Sequence, residues 1–121
     1  MIHHVTRKVP PSLLDECVAF YGILGFQPVP APAGIAGRAT WLELRNARHQ
    51  VHLMPVSRAT ASAGHFAIVC DDYDATVSAL RKSGAEVEPR REHWGSPRAY
   101  ARDPVGNVVE LMAWPPGPAG G

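Results

Sequence analysis

An internal repeat in the sequence limits which folds this chain can adopt. Residues 51–54, Val-His-Leu-Met, align with residues 109–112, Val-Glu-Leu-Met, at an offset of 58 positions. His4 aligns with His65 at an offset of 61, and each of these two histidines opens a strand-like segment. The difference of three between the offsets is a small length change around the intervening helix and loop. The repeat predicts that one folding unit occurs twice.

The order of the predicted elements supports the same duplication, because each half reads as a strand, a helix and then further strands. In the first half, strands are predicted over residues 2–9, 40–44 and 50–56, with a loop over 28–37. The first helix is predicted to start at the N-cap Ser12, to bury Leu14, Val18, Tyr21 and Ile23, and to end at Gly22 and Gly25.

The second half repeats this order. Strands are predicted over residues 65–70, 85–87, 96–102 and 107–114, and a helix opens at residues 71–74 and stops at Gly84. Module one therefore covers about residues 1–56 and module two about 64–114, within a single α+β domain of residues 1–114. The Pro/Gly-rich tail, residues 115–121, is predicted to be disordered.

Composition excludes several classes of function. A chain of 121 residues suits one domain with a substantial core. The formal net charge of +1 gives no electrostatic footprint for nucleic acid or an anionic membrane, so neither is an expected partner. No apolar run approaches the roughly 20 residues that span a bilayer, and the absence of a signal-peptide pattern predicts a cytoplasmic location. The two cysteines, Cys17 and Cys70, are predicted to be reduced structural thiols rather than catalytic ones.

The duplication predicts a metal site, because a pseudo-twofold axis lets four equivalent side chains converge on one point. Those four are His4, His52, His65 and Glu110, all of them competent ligands for a divalent ion. Three imidazoles and one carboxylate favour one ion of zinc, nickel, cobalt, iron or manganese over calcium or magnesium. A single histidine in a strand is more often structural. Glu110 in an apolar strand, however, would be costly to bury without a partner.

Four further residues are candidates for contact with a small-molecule substrate. Thr6 shares the strand face of His4, and Tyr100 is predicted to lie across a hairpin from Glu110. Arg98 follows on the same face and suits an anionic substrate, and Trp94 lies in a loop that suits a substrate lid. Each has a plainer alternative: core or solvent for Thr6, ordinary packing for Tyr100, and solvent exposure for Arg98 and Trp94.

Several short motifs give the chain a family resemblance when their order and spacing are taken together. They are His4-Val5-Thr6, Phe20-Tyr21-Gly22-Ile23-Leu24-Gly25-Phe26, Gly64-His65-Phe66-Ala67, and Asp103-Pro104-Val105-Gly106-Asn107 before Glu110. The sequence resembles the vicinal-oxygen-chelate superfamily, which groups glyoxalase I, extradiol dioxygenases, fosfomycin-resistance enzymes and bleomycin-resistance proteins. The resemblance spans nearly all of residues 2–114.

The resemblance implies two βαβββ modules whose paired curved sheets form a cleft around one metal ion. It also implies a homodimer in many members, with modules paired within one chain or between two. The ligand positions of the family correspond to His4, His52, His65 and Glu110. The implied function is a metal-dependent lyase or isomerase that acts through an enolate-type intermediate on a substrate with vicinal oxygens. Glu110 would then be both a ligand and the catalytic base.

One position departs from glyoxalase I. Those enzymes resemble one another in having Glu where this chain has His52, and Arg where it has Lys8. The departure leaves open a triad of His4, His65 and Glu110 with His52 as a nearby polar residue. Two alternative functions also follow from the resemblance: a metal-free drug-binding protein with an aromatic cleft, and a ring-cleaving dioxygenase. The aromatic residues available for such a cleft are Trp41, Trp94, Tyr100 and Trp114.

Overall fold

The strands of the two repeats form two four-stranded mixed sheets in the computed structural model, which describes residues 1–117. The backbone divides into two units. Unit one holds residues 1–61 and 104–106, and among the described residues unit two holds 62–103 and 107–117. Each sheet comes from one predicted module, so the α+β class and the two βαβββ modules are confirmed.

Unit one begins with β1 (His4–Val9), a 3-10 turn (Pro11–Leu13) and α1 (Leu14–Ile23). Its remaining strands are β2 (Phe26–Val29), β3 (Thr40–Leu44) and β4 (Gln50–Pro55). The strand order is β1-β4-β3-β2, with β1 parallel to β4 and the other pairs antiparallel. The parallel pair needs a long crossover, which α1, β2 and β3 supply.

Unit two repeats this topology with β5 (His65–Val69), α2 (Tyr73–Lys82), β6 (Val87–Arg90), β7 (Arg98–Arg102) and β8 (Val108–Met112). The order β5-β8-β7-β6 again places the first strand parallel to the last. The last strand of each module is therefore an inner strand, flanked on both sides by partners.

The two helices start differently. Asp72 caps α2 as its side chain accepts a hydrogen bond from the Ala75 N–H at 3.0 Å. The predicted Ser12 cap of α1 is wrong, because Pro10 and the 3-10 turn precede the helix and no side chain caps it. The predicted apolar stripe is also only partly right: Tyr21 is buried, but Cys17 and Phe20 are its buried neighbours in α1.

A second correction concerns the predicted loop over residues 28–37, since β2 occupies residues 26–29 and pairs with β3. Its Pro28 lacks an N–H, but β2 is an edge strand, where a missing donor is tolerated. The predicted disordered tail lies partly outside the described residues, at 118–121. Residues 115–117 have no regular secondary structure.

The core repeats along with the strands. Leu53 in β4 and Leu111 in β8 occupy equivalent positions and are both fully buried. Val51 and Val109, two residues earlier in the same strands, have exposed fractions of 1% and 0%. Because side chains alternate along a strand, the residue between each pair points to the opposite face of its sheet. Those intervening residues are His52 and Glu110. Within residues 1–117, no helix has the length and apolar character that crossing a bilayer requires.

Candidate metal site

The predicted ligands occupy the same strand register in both units. His4 pairs with Gln50, two residues before His52. In the same way, His65 pairs with Val108, two residues before Glu110. Each unit thus contains a half-site, defined here as the first-strand histidine and the diagonal residue on the neighbouring parallel strand. The residues that align between the two halves of the sequence therefore also occupy equivalent positions in the two sheets.

In unit one the His52 ring lies between two parallel aromatic rings. The His4 ring stacks on it at 3.9 Å between centroids and 14° between planes. The indole of Trp41, its direct cross-strand partner, stacks at 4.1 Å and 8°. The three stacked rings come from the adjacent strands β1, β4 and β3. The stack holds the His52 ring in place, and the side chain is only 6% exposed.

His3 lies close to both histidines of the half-site in unit one. His3 Nδ1 lies 2.9 Å from His4 Nδ1, and its ring centroid lies 6.1 Å from that of His52. The three histidines offer ligand atoms that all lie within 4.8 Å of one another. His3 precedes β1, so the alternation of side chains along a strand does not govern its direction.

A hydrogen-bonded relay fixes the proton on His52. The Gln50 amide nitrogen donates to Glu43 Oε2 at 2.9 Å, and Gln50 Oε1 lies 2.7 Å from His52 Nε2. Because a carboxylate only accepts, the amide nitrogen faces Glu43 and the amide oxygen faces His52. His52 Nε2 must then carry the hydrogen, and Nδ1 retains the lone pair. Such an outer partner is typical of histidines that bind metals.

The electrostatics of this half-site keep His52 uncharged. Burial, together with the nearby His4 and His3, lowers the pKa of His52 from 6.5 to about 4, and burial is the largest of these causes. The ring is therefore neutral at pH 7, which is the protonation state that metal binding requires.

Unit two has a different chemistry at the equivalent positions. Glu110 is 8% exposed and has a partner on each oxygen: His65 Nε2 lies 3.1 Å from Oε1, and Arg98 Nε donates to Oε2 at 3.2 Å. Arg98 also donates from Nη1 to the Arg91 carbonyl at 2.9 Å. The buried carboxylate is thus compensated, as its position in an apolar strand requires.

Tyr100 lies directly across the hairpin from Glu110, which confirms the predicted pairing. Its ring centroid lies 5.1 Å from that of His65, and the Arg90 guanidinium lies 4.7 Å above the ring. Tyr100 therefore occupies in unit two the position that Trp41 occupies in unit one.

The other predicted substrate residues have varied surroundings. Thr6 is exposed in β1 as the strand partner of His52. Trp94 donates its indole N–H to the Trp114 carbonyl at 2.8 Å, so this group is committed to a backbone contact. Arg98 has Glu110 as its observed partner, and its contact with a substrate stays a prediction. Sequence reasoning missed Gln50, Glu43 and His3, although the spacing Gln50-Val51-His52 places an amide on the same face as the ligand.

Neither cysteine forms a disulfide, and both are buried. Burial raises the pKa of the Cys70 thiol, which makes the reactive thiolate scarcer at neutral pH. Both observations agree with the predicted structural role.

The residue types in both half-sites, imidazole and carboxylate, suit a divalent transition-metal ion. His65 Nε2 and Glu110 Oε1 are separated by 3.1 Å, close to the roughly 3.4 Å between neighbouring ligands on a tetrahedral ion with bonds of about 2.1 Å. Arg98 on the second carboxylate oxygen and Gln50 on His52 would be the outer partners that orient these ligands. The stacked rings of His4 and His52 would have to tilt for both nitrogens to point at one ion.

Comparison with known proteins identifies the family of this chain. The sequence matches the family model of the Glyoxalase/Bleomycin resistance protein/Dioxygenase superfamily over residues 1–111. The chain belongs to this superfamily. The resemblance read from the motifs is thereby confirmed. A search of curated proteins finds no match.

Solved structures of this superfamily share the fold. A glyoxalase family protein from Bacillus anthracis is 29% identical, with 93% of each chain covered and a TM-score of 0.79. Lactoylglutathione lyase from Agrobacterium tumefaciens is 23% identical over 93% of each chain, with a TM-score of 0.68. TnmS3, an antibiotic binding protein from a Streptomyces species, is also 23% identical over 93% of each chain, with a TM-score of 0.69. One fold thus covers an enzyme and a binding protein, so the site residues must decide the function.

Proposed function

We propose that this protein is a metal-dependent enzyme of the superfamily that acts on a small substrate with two neighbouring oxygens, by lyase or isomerase chemistry. Its ligands are His4, His52, His65 and Glu110, and the ion is zinc, nickel, cobalt, iron or manganese. The observation that carries the proposal is the identical register of the two half-sites. Four ligand-competent side chains occupy equivalent strand positions.

The reaction class follows from Glu110. A bound divalent ion would supply Lewis-acid polarisation of a substrate carbonyl. Glu110 Oε2 is held by Arg98 while Oε1 faces His65, so the carboxylate is oriented from one side and can exchange partners on the other. A carboxylate that leaves His65 can accept a proton from the carbon next to that carbonyl.

A proton-exchange assay tests this chemistry without knowledge of the natural substrate. The untagged, zinc- or nickel-loaded protein is incubated in D2O with small 2-hydroxyketones and 2-oxo acids, and deuterium uptake beside the carbonyl is followed by NMR. The proposal expects uptake that EDTA and Glu110→Gln both abolish. Glu88→Gln is the matched control, because Glu88 is the exposed strand partner of Tyr100 on the same sheet. Equal uptake by the Glu110→Gln protein would contradict the proposal.

A second candidate function is metal-free binding of a planar small molecule. It is favoured by the aromatic residues at equivalent positions, Trp41 and Tyr100, which both lie beside a half-site. Metal analysis of protein purified without a His-tag separates the candidates. The enzyme proposal expects close to one divalent ion per chain, whereas a metal-free binder would hold none.

We also propose that the protein forms a homodimer. Each sheet has two edge strands, β1 and β2 in unit one and β5 and β6 in unit two, and pairing between copies would cover exposed edges. Light scattering at micromolar concentration should give twice the chain mass of 13.1 kDa. A monomer that still holds its metal would contradict this part of the proposal.

A further inference from the structure

We infer that unit one by itself forms a second mode of metal binding, in which His3, His4 and His52 hold one transition-metal ion through three imidazoles. This goes beyond the proposed function, because it adds a ligand that the four-residue set lacks and needs neither His65 nor Glu110.

The geometry of the three rings carries the inference. Their ligand atoms all lie within 4.8 Å of one another. Small rotations of the exposed rings would bring these atoms to the roughly 3.4 Å that separates neighbouring ligands on a tetrahedral ion. His3 Nδ1 and His4 Nδ1 are 2.9 Å apart and share a hydrogen, which one ring donates to the other. An ion that replaces this shared hydrogen would bind both nitrogens.

The three side chains differ in freedom in a way that suits a metal site. His52 is buried in its stack and its Nε2–H is committed to Gln50, so its position and tautomer are set in advance. His3 and His4 are exposed, and their rings can turn to complete the coordination at little cost in packing. A fixed ligand with two adjustable ones removes the obstacle that parallel stacking of His4 on His52 presents.

The donor set defines the class of ion. Three neutral imidazoles favour zinc, nickel, cobalt or copper, whereas calcium and magnesium require oxygen ligands. Glu43, the carboxylate of the relay, accepts a hydrogen bond from the Gln50 amide. Three protein ligands leave at least one coordination position for water or a substrate atom.

The experiment removes unit two from the binding and then tests His3. Zinc binding is measured by calorimetry on untagged Glu110→Ala protein, and then on the same protein with His3→Ala added. We expect the Glu110→Ala protein to bind one zinc ion per chain, more weakly than the wild type. Adding His3→Ala should weaken that remaining binding by about tenfold or more, since one of three metal–ligand bonds is lost.

The matched control is His49→Ala in the same Glu110→Ala background, because His49 is exposed and lies outside the cluster. Circular dichroism confirms that each variant is folded. Equal affinities for the His3→Ala and His49→Ala variants, or no zinc binding by Glu110→Ala itself, would overturn the inference. Failure of the proposed function would look different: Glu110→Ala would then bind zinc as tightly as the wild type, and the comparison of His3 with His49 would still be informative.

Discussion

The two units share one topology and one strand register, but they place different chemistry at the equivalent positions. Unit one presents neutral nitrogen donors around His52, with an amide as the outer partner. Unit two presents a charged carboxylate, Glu110, with an arginine as the outer partner. Each outer partner matches the charge of its ligand: neutral Gln50 on a neutral imidazole, and cationic Arg98 on an anion.

The strand register at the ligand position therefore does not determine which residue type occupies that position. The pairing of the first and last strands sets where a ligand can lie, and the buried leucines beside it keep that strand in place. The side chain at the ligand position differs between the two units, and so does its outer partner. We therefore expect substitutions at equivalent core positions to change the free energy of unfolding equally in the two units. Substitutions at the ligand positions and their outer partners should have unequal effects.

The largest expected effect tests the equivalence of the cores. Leu53→Ala and Leu111→Ala should each lower the free energy of unfolding by about 2–5 kcal/mol, because both side chains are fully buried and each leaves a cavity. Urea unfolding of the metal-free proteins measures this. A loss below 1 kcal/mol at one site alone would show that the two cores are not equivalent.

The next effect tests the charged outer partner. Arg98→Met should lower the free energy of unfolding by about 1.5–3 kcal/mol, because it removes a charge-assisted hydrogen bond from buried Glu110. Arg90→Met is the control, since Arg90 pairs with exposed Glu88 and should cost less than about 1 kcal/mol. Equal losses for the two arginines would contradict the special role given to Arg98.

A smaller effect is expected for the neutral outer partner. Gln50→Leu should cost about 1 kcal/mol of unfolding free energy and weaken zinc binding by about tenfold, because His52 loses the group that fixes its tautomer. Nitrogen-15 NMR of the imidazoles gives the specific readout: a single Nε2–H tautomer of His52 in the wild type, and a mixture in Gln50→Leu. A mixture already present in the wild type would refute the relay.

Most of the fold was accessible from sequence, because repeated strand patterns and the Val-x-Leu-Met motif fix both register and core. The start of α1 was missed because Pro11 suggests a break, whereas it lies in a 3-10 turn before the helix. The short strand β2 was missed because Pro28 also suggests a break, which an edge strand tolerates. The site was predicted at its ligand positions alone. Its outer partners depend on which side chains meet across strands, as Gln50 meets Glu43, and one sequence without its folded form does not give such contacts.

The smallest effect is expected for His52→Glu, a substitution that gives both half-sites a carboxylate. Wild-type protein should convert the methylglyoxal–glutathione adduct weakly or not at all, because His52 replaces a carboxylate and Lys8 stands where the glyoxalases resemble one another in having Arg. His52→Glu should restore a small rate only if groups that bind glutathione are present. Direct assays with zinc, nickel and cobalt measure both proteins. Robust turnover by the wild type would show that the difference at His52 does not matter.

We propose that ligands from both units bind the same ion, and paired calorimetric titrations test this proposal. Nickel or zinc is titrated into untagged wild-type, His52→Ala and His65→Ala proteins, with His49→Ala as the control. The account predicts one tight ion per chain in the wild type, weakened by about 100-fold by the loss of either ligand and unchanged in the control. Tight binding that responds to His52→Ala but not to His65→Ala would contradict the claim, because the two units would then act separately.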